Sequence, residues 1–304
     1  MITPSQKGAV VTVPLAHGGK ALLTGLVVVL ATGSCSSAPS GDAPSGDAPA
    51  AGVAGAPLDG LESSHVHSLA VNPADQVVLA ATHEGLFELR DGGPVLVGPV
   101  IDLMGFAVVG PDHFRASGHP GPGTDMPNPV GLIESVDGGR SWSALSREGV
   151  SDFHALATWK DGVMAVGDGL ERSDDLTSWQ LVDGPPGVFD LASVDGRTVL
   201  ATTEEGLQRS TDAGQTWQLV PQAPRLAFVE FVDSSRVFGV TPEGDVAVSS
   251  DAGATWEQQA MAGPPLALAA TASGGVEQVL VLTEEGVQTS SDGGESFRPW
   301  RPSP

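Results

Sequence analysis

One motif constrains the fold of this chain more than any other feature. Four segments fit Ser-x-Asp-x-Gly-x-(Ser/Thr)-(Trp/Phe): Ser135–Trp142, Ser210–Trp217, Ser249–Trp256 and Ser290–Phe297. A fifth, Ser173–Trp179, is one residue shorter and lacks the glycine. The aromatic positions 142, 179, 217, 256 and 297 recur at intervals of 37, 38, 39 and 41 residues. A period near 40 built from short apolar runs and turns is the sequence signature of propeller blades. The residue types explain the turn. An aspartate accepts backbone N–H groups, a glycine supplies positive φ, and the aromatic packs beneath. Asp137, Asp175, Asp212, Asp251 and Asp292 are therefore read as structural.

A second element precedes the motif. Thr82-His-Glu-Gly85, Thr203-Glu-Glu-Gly206, Thr241-Pro-Glu-Gly244 and Thr283-Glu-Glu-Gly286 all fit Thr-x-Glu-Gly. Each repeat reads as strand A, strand B, this turn, strand C, the Asp-motif turn and strand D. Strand A begins near residues 65, 102, 152, 188, 226 and 266, which gives six blades. The first blade carries a degenerate motif, Arg90-Asp-Gly-Gly93, as terminal repeats often do. The fold class expected is all-β, a six-bladed β-propeller over residues 62–302.

The Asp segments resemble the Asp-box (BNR) repeat of sialidases, sortilin-type receptors and photosystem II assembly factors. The resemblance covers residues 62–302 and implies boxes that are structural and lie away from the active face. The run of Ser64-His-Val-His67, Thr82-His-Glu-Gly85, Asp102-Leu-Met-Gly105, Ser117-Gly-His-Pro120 and Asp152-Phe-His154 is similar to exported bacterial Asp-box proteins labelled glycosyl hydrolases by similarity. That resemblance implies a two-carboxylate glycosidase as one alternative, with Asp102, Asp152, Asp168 and Asp190 as candidates. The assembly-factor relatives imply another, a scaffold without chemistry. Sialidases resemble one another in an arginine triad and a tyrosine nucleophile. This chain has no tyrosine, and a sialidase of that kind is excluded.

The two ends of the sequence differ in character. Residues 1–34 read as a lipoprotein signal: Lys7 and Lys20 precede the apolar run 21–30, followed by Thr32-Gly-Ser-Cys35. Cys35, the single cysteine, is the expected lipidation site, which anchors the protein to the outer side of the bacterial cell membrane. Residues 35–61, rich in Ala, Pro, Gly, Ser and Asp, read as a flexible tether. The chain carries 37 acidic against 14 basic side chains, a formal charge of −23. Such a balance excludes nucleic acid as a partner, because binding it needs a basic surface.

Antiparallel meanders put the start of strand A and the B–C turn on one face, with the Asp boxes on the other. On that first face the sequence concentrates His65, His67, His83, Met104, His119 and His154, with Met126 on the blade-two insertion 120–130. Period-2 geometry directs His65 and His67 to the same side of their strand. Imidazoles suit copper and zinc, and thioethers add a preference for Cu(I), so the channel mouth is expected to bind a metal, copper before zinc, or a small ligand or protein partner. The overall expectation is a surface-anchored binding propeller, leaning away from catalysis. The lipid anchor is directly testable: Cys35→Ala should move the protein from membrane fractions to the soluble fraction, and retention on membranes would refute the assignment.

Overall fold

The computed structural model describes Leu61 and residues 65–302. The described residues belong to one compact unit. The signal, Cys35 and the tether up to residue 60 lie outside them.

Six four-stranded antiparallel sheets follow one another along the chain, each made from one contiguous segment. Blade 1 is β1 (Val66–Val71), β2 (Val78–Thr82), β3 (Gly85–Arg90) and β4 (Gly93–Val97). Blade 2 is β5 (Ile101–Gly110), β6 (His113–Pro120), β7 (Leu132–Ser135) and β8 (Ser143–Ser146). Blade 3 is β9 (Ala155–Trp159), β10 (Gly162–Val166), β11 (Leu170–Ser173) and β12 (Gln180–Leu181). Blade 4 is β13 (Asp190–Ala192), β14 (Val199–Thr203), β15 (Gly206–Ser210) and β16 (Gln218–Leu219). Blade 5 is β17 (Phe228–Phe231), β18 (Val237–Val240), β19 (Asp245–Ser249) and β20 (Glu257–Met261). Blade 6 is β21 (Ala267–Ser273), β22 (Val276–Thr283), β23 (Gly286–Ser290) and β24 (Arg298–Pro299). The six-bladed, all-β reading of the sequence is what the structure shows, and among the described residues there is no helix.

Burial grades outward across each blade. The second strand is apolar and enclosed, as in Val199-Leu-Ala-Thr-Thr203, where every residue is buried. The outermost strands β12, β16 and β24 are two residues long and exposed. Short outer strands leave little free edge for another chain to pair with.

The core lies between blades. Six apolar clusters each join one blade to the next, from blades 1 and 2 (Leu79, Leu86 with Leu103, Phe114) round to blades 5 and 6 (Phe238, Val246 with Val279, Val281). The ring closes in the same way. Leu61, Leu69, Val71 and Val78 of the N-terminal side pack against Ala267, Ala269, Leu280 and Leu282 of blade 6. Among the described residues, no strand is exchanged between the first and last blades.

Both repeated motifs act through hydrogen bonds at turns. In the box of blade 4, Ser210 Oγ donates to Asp212 Oδ1 (2.8 Å) and accepts from Gly214 N (2.9 Å). Thr216 then donates its N–H to Asp212 Oδ1 (2.9 Å) and its hydroxyl to Oδ2 (2.6 Å). The boxes at Asp137, Asp251 and Asp292 repeat this pattern, while the shortened box uses Asp175 to accept from Thr177 N and Ser178 N. The hydrogen bonds hold these carboxyls below the usual range, Asp292 at about 2. The box aromatics then reach the preceding blade, as Trp217 does in the cluster between blades 3 and 4. At the B–C turns, Thr82, Thr203 and Thr283 each donate Oγ–H to the carbonyl of the glycine three residues on.

Polar contacts also cross the seams, and the most deeply buried of them belongs to an arginine. Arg115 of β6 is 1% exposed, and its guanidinium donates to Thr158 Oγ1 and to the carbonyls of Trp159, Lys160 and Gly162. It thereby clamps the β9–β10 turn of blade 3 onto blade 2.

The box turn also explains an imperfection. The residue after the aspartate has φ of 74° at Gly138 and 78° at Gly293, but 67° at Ala213 and 56° at Ala252. A left-handed conformation costs an L-residue roughly 1–2 kcal/mol relative to glycine. Ala213→Gly and Ala252→Gly should each stabilise the protein, together raising the midpoint of thermal unfolding by a few degrees. A fall in midpoint would contradict this account of the turn.

Candidate functional site

The innermost strands of all six blades line one central cavity of about 850 Å³. Its wall includes His67 and Ser68 of β1, Met104 and Phe106 of β5, and His154 just before β9. Asp190 of β13, Phe228 and Glu230 of β17 and Leu268 of β21 complete the circuit.

At the strand-A face, side chains from blades 1 and 2 converge. His83 Nδ1–H donates to Asp102 Oδ1 at 2.8 Å, and His67 Nε2 lies 3.5 Å from the same His83 nitrogen. The His67 and His83 rings meet edge to face with centroids 4.5 Å apart. One ligand atom from each of His67, His83 and Asp102 falls within 4.8 Å of the others. His65 flanks the group, its ring 5.5 Å from that of His83. Burial and the neighbouring His83 push the His67 imidazole below its ordinary pKa.

Two bulges build this arrangement. The β1–β2 register jumps between Val66/Thr82 and Ser68/Ala81, leaving His67 as the extra residue. The β5–β6 register jumps between Leu103/Gly118 and Gly105/Ser117, leaving Met104 in the same situation. A bulge re-aims the side chain it carries. Gly118, opposite the second bulge, has φ of 147°, and a Cβ there would stand 1.9 Å from the Asp102 carbonyl oxygen. Only glycine lets β5 and β6 approach this closely beside Asp102.

A second group centres on Asp152. Its Oδ2 lies 3.1 Å from both His119 Nε2 and His154 Nε2, while Oδ1 is buried with no partner. His119 donates its other nitrogen to Asn128 Oδ1 (2.7 Å) on the blade-two insertion. The bond to Asn128 leads the causes that raise the His119 pKa, with Asp152 and Asp102 adding to it. The two groups touch through register, because Asp102 and His119 are direct partners across β5 and β6.

The remaining sequence candidates separate. Met126 packs against the apolar cluster between blades 1 and 2. Asp168 is exposed on the β10–β11 turn. Asp190 stands in the channel wall, where Oδ2 accepts from Val229 N at 2.9 Å. Sequence reasoning passed over its neighbour Glu230, although a glutamate inside Phe228-Val-Glu-Phe231 is a visible anomaly. Both carboxyls keep an opening to the channel yet lie deep among protein atoms. Burial pushes Asp190 up to about 7, and burial with the nearby Asp190 pushes Glu230 up to about 8. Among the described residues the cavity lining includes Lys160 and no arginine.

Fold and motif together define an Asp-box β-propeller. The model of the BNR/Asp-box repeat matches residues 208–219, the segment from β15 through the box of blade 4. No curated protein matches the chain significantly. Among solved structures, the GH74 xyloglucanase of Xanthomonas campestris is similar at 20% identity and a TM-score of 0.56, over 78% of this chain and 38% of that one. PorZ, a bacterial surface component of the type-IX secretion system of Porphyromonas gingivalis, is similar at 12% identity over 79% of this chain and 38% of its own, with a TM-score of 0.47. YCF48 from Cyanidioschyzon merolae gives 14% identity over 74% of this chain and 94% of its own, with a TM-score of 0.48. The chain thus spans well under half of the xyloglucanase, and the likeness establishes the fold alone.

The channel acids set a pH dependence. Their folded pKa values lie above the unfolded ones, so they favour folding at acid pH and lose that contribution as pH rises through about 7 to 8. The depressed Asp-box carboxyls act in the opposite direction and only below about pH 4. Thermal unfolding should therefore be most resistant near pH 4 to 5, decline up to about pH 8, and lose nothing further from this pair above it. The double variant Asp190→Asn/Glu230→Gln should flatten that decline; an unchanged slope would show that the pair does not cause it.

Proposed function

We propose that the protein is an exported, lipid-anchored binding propeller that holds a divalent metal at the mouth of its channel through His67, His83 and Asp102. The observation that carries this reading is the convergence of three ligand atoms, from two blades, within 4.8 Å of one another. Two imidazoles and a carboxylate form a borderline donor set, better suited to Cu(II) or Zn(II) than to Cu(I). The order of divalent affinities then favours copper. The downward push on the His67 pKa from burial and His83 favours the same reading, since a ligand imidazole must shed its proton before it binds. Met104 lines the same channel, whereas Met126 is taken up by packing, so the thioether argument for Cu(I) is weaker than the residue types alone suggest.

The anchor belongs to this proposal through the N-terminal sequence: lipid at Cys35 and the tether 35–61 would hold an anionic body off an anionic membrane. A glycosidase pair finds less support. Asp102 and Asp152 are engaged by histidines, Asp190 by a backbone amide, and Asp168 stands on an exposed turn.

Isothermal titration of the purified protein with Cu(II), Zn(II) and Cu(I) tests the reading. Cu(II) should bind with the highest affinity, and His83→Ala and Asp102→Asn should each weaken it by about tenfold or more. His113→Ala, whose ring pairs with Glu134 at 2.7 Å on the opposite face, should leave it unchanged. Absence of binding, or equal losses in all three variants, would overturn the assignment.

A further inference from the structure

The metal group belongs to blades 1 and 2, and blades 4 and 5 carry a second group whose members touch one another directly. Phe189, immediately before β13, is 62% exposed and is the one exposed Phe or Trp among the described residues. Its ring meets Phe228, the first residue of β17, at 61° with centroids 5.4 Å apart. Burial alternates along β17: Val229 and Phe231 pack in a seam, while Phe228 and Glu230 stand on the more open side. Glu230 therefore lies one pleat beyond Phe228, roughly 7 Å along the strand. Asp190 reaches across from β13, and its Oδ2 accepts from Val229 N at 2.9 Å, at the level between those two. Phe189, Asp190, Phe228 and Glu230 all line the channel.

Two carboxyls in such a place call for a counter-charge, and the described residues supply none. The charged and titratable groups of the channel wall are His67, His154, Lys160, Asp190 and Glu230. The histidines belong to blades 1 and 3, and Lys160 stands on the β9–β10 turn, at the end of the channel away from the mouth. No cation acts on either carboxyl, Glu230 accepts no hydrogen bond, and the one charge it feels is the repulsion of Asp190. Around the mouth, the B–C turns add the exposed Glu84, Glu204, Glu205, Glu243, Glu284 and Glu285. Their field draws cations inward and turns anions away. An exposed aromatic face attracts a cation too, and it leaves water only when something apolar covers it.

From this juxtaposition we infer that the blade 4–5 side of the channel binds an organic ammonium ion, with the charged head at Asp190 and Glu230 and a flat apolar body on Phe189 and Phe228. The site is separate from the metal group and does not depend on it. The head brings the missing charge and N–H donors for the carboxylate oxygens. A cation favours ionised carboxylates, so its binding lowers their raised pKa values and releases protons around neutral pH.

Calorimetry on the purified protein with three probes tests this: phenethylammonium has both parts, ethylammonium has the head alone, and phenethyl alcohol has the body without the charge. Phenethylammonium should bind about tenfold or more tightly than either of the others. Its affinity should rise by about tenfold or more between about pH 6 and about pH 8.5, and buffers of different ionisation enthalpy should reveal the released protons. Glu230→Gln, which keeps the shape, should bring phenethylammonium down to the affinity of phenethyl alcohol and remove most of the proton release. Phe189→Ala should weaken both aryl probes by about threefold or more and leave ethylammonium unchanged. Equal affinities for phenethylammonium and phenethyl alcohol, or full affinity retained in Glu230→Gln, would overturn the inference. So would displacement of phenethylammonium by calcium at lower concentration than by ethylammonium, since the pair would then hold an inorganic cation. His83→Ala, which removes a metal ligand, should change none of these affinities, so the two sites stand or fall separately.

Discussion

No blade of this protein can bury a core of its own. A four-stranded sheet has two faces, and each becomes dry only when the neighbouring blade covers it. The six apolar clusters therefore lie at the six seams, including the one that joins Leu69 and Val78 to Ala269 and Leu280. Everything else in the molecule follows from that requirement. The Asp-box tryptophans are placed to reach the preceding blade, and Arg115 ties the β9–β10 turn across a seam with four hydrogen bonds. The channel arises as a by-product, because six twisted sheets packed face to face cannot bring their inner edges to one line.

The site depends on the same geometry. Seams hold the blades at fixed angles, so residues far apart in sequence meet where the innermost strands begin. His83 lies on the B–C turn of blade 1 and Asp102 at the start of blade 2, yet they share a 2.8 Å hydrogen bond. The mouth is also asymmetric in chemistry. Blades 1 to 3 present the imidazoles, blades 4 and 5 present phenylalanines together with Asp190 and Glu230, and one cavity spans both. Asp190 and Glu230, on blades 4 and 5, are held with raised pKa values.

The fold was legible because its signal is repeated. Strand starts read near 65, 102, 152, 188, 226 and 266 lie within three residues of the observed 66, 101, 155, 190, 228 and 267. The site was legible only in outline. Residue types and the meander rule place His65, His67, His83, His119 and His154 on one face, but they contain no distances. The bulges at His67 and Met104 escape a period-2 reading, since a bulge is a departure from that period. Met126 was misleading for a related reason: a methionine on a long insertion has no periodicity to say whether it faces a site or a core, and here it packs inward. Glu230 stands third in β17, beyond the strand starts that the meander rule places at the mouth, so that rule does not point to it.

The closing seam has a consequence for how such a protein can change over generations. Many rings are sealed by weaving an early strand into the last blade, which ties ring size to the chain ends. Here each blade is one uninterrupted stretch of sequence, and the ring is sealed by side-chain packing between β1 and β21. A gene duplication or deletion bounded by two loops would thus add or remove one complete blade, seams included, without orphaning a strand. The heritable module is the blade, while the mouth is built by several blades together, so a change of ring size would reshape the mouth as well.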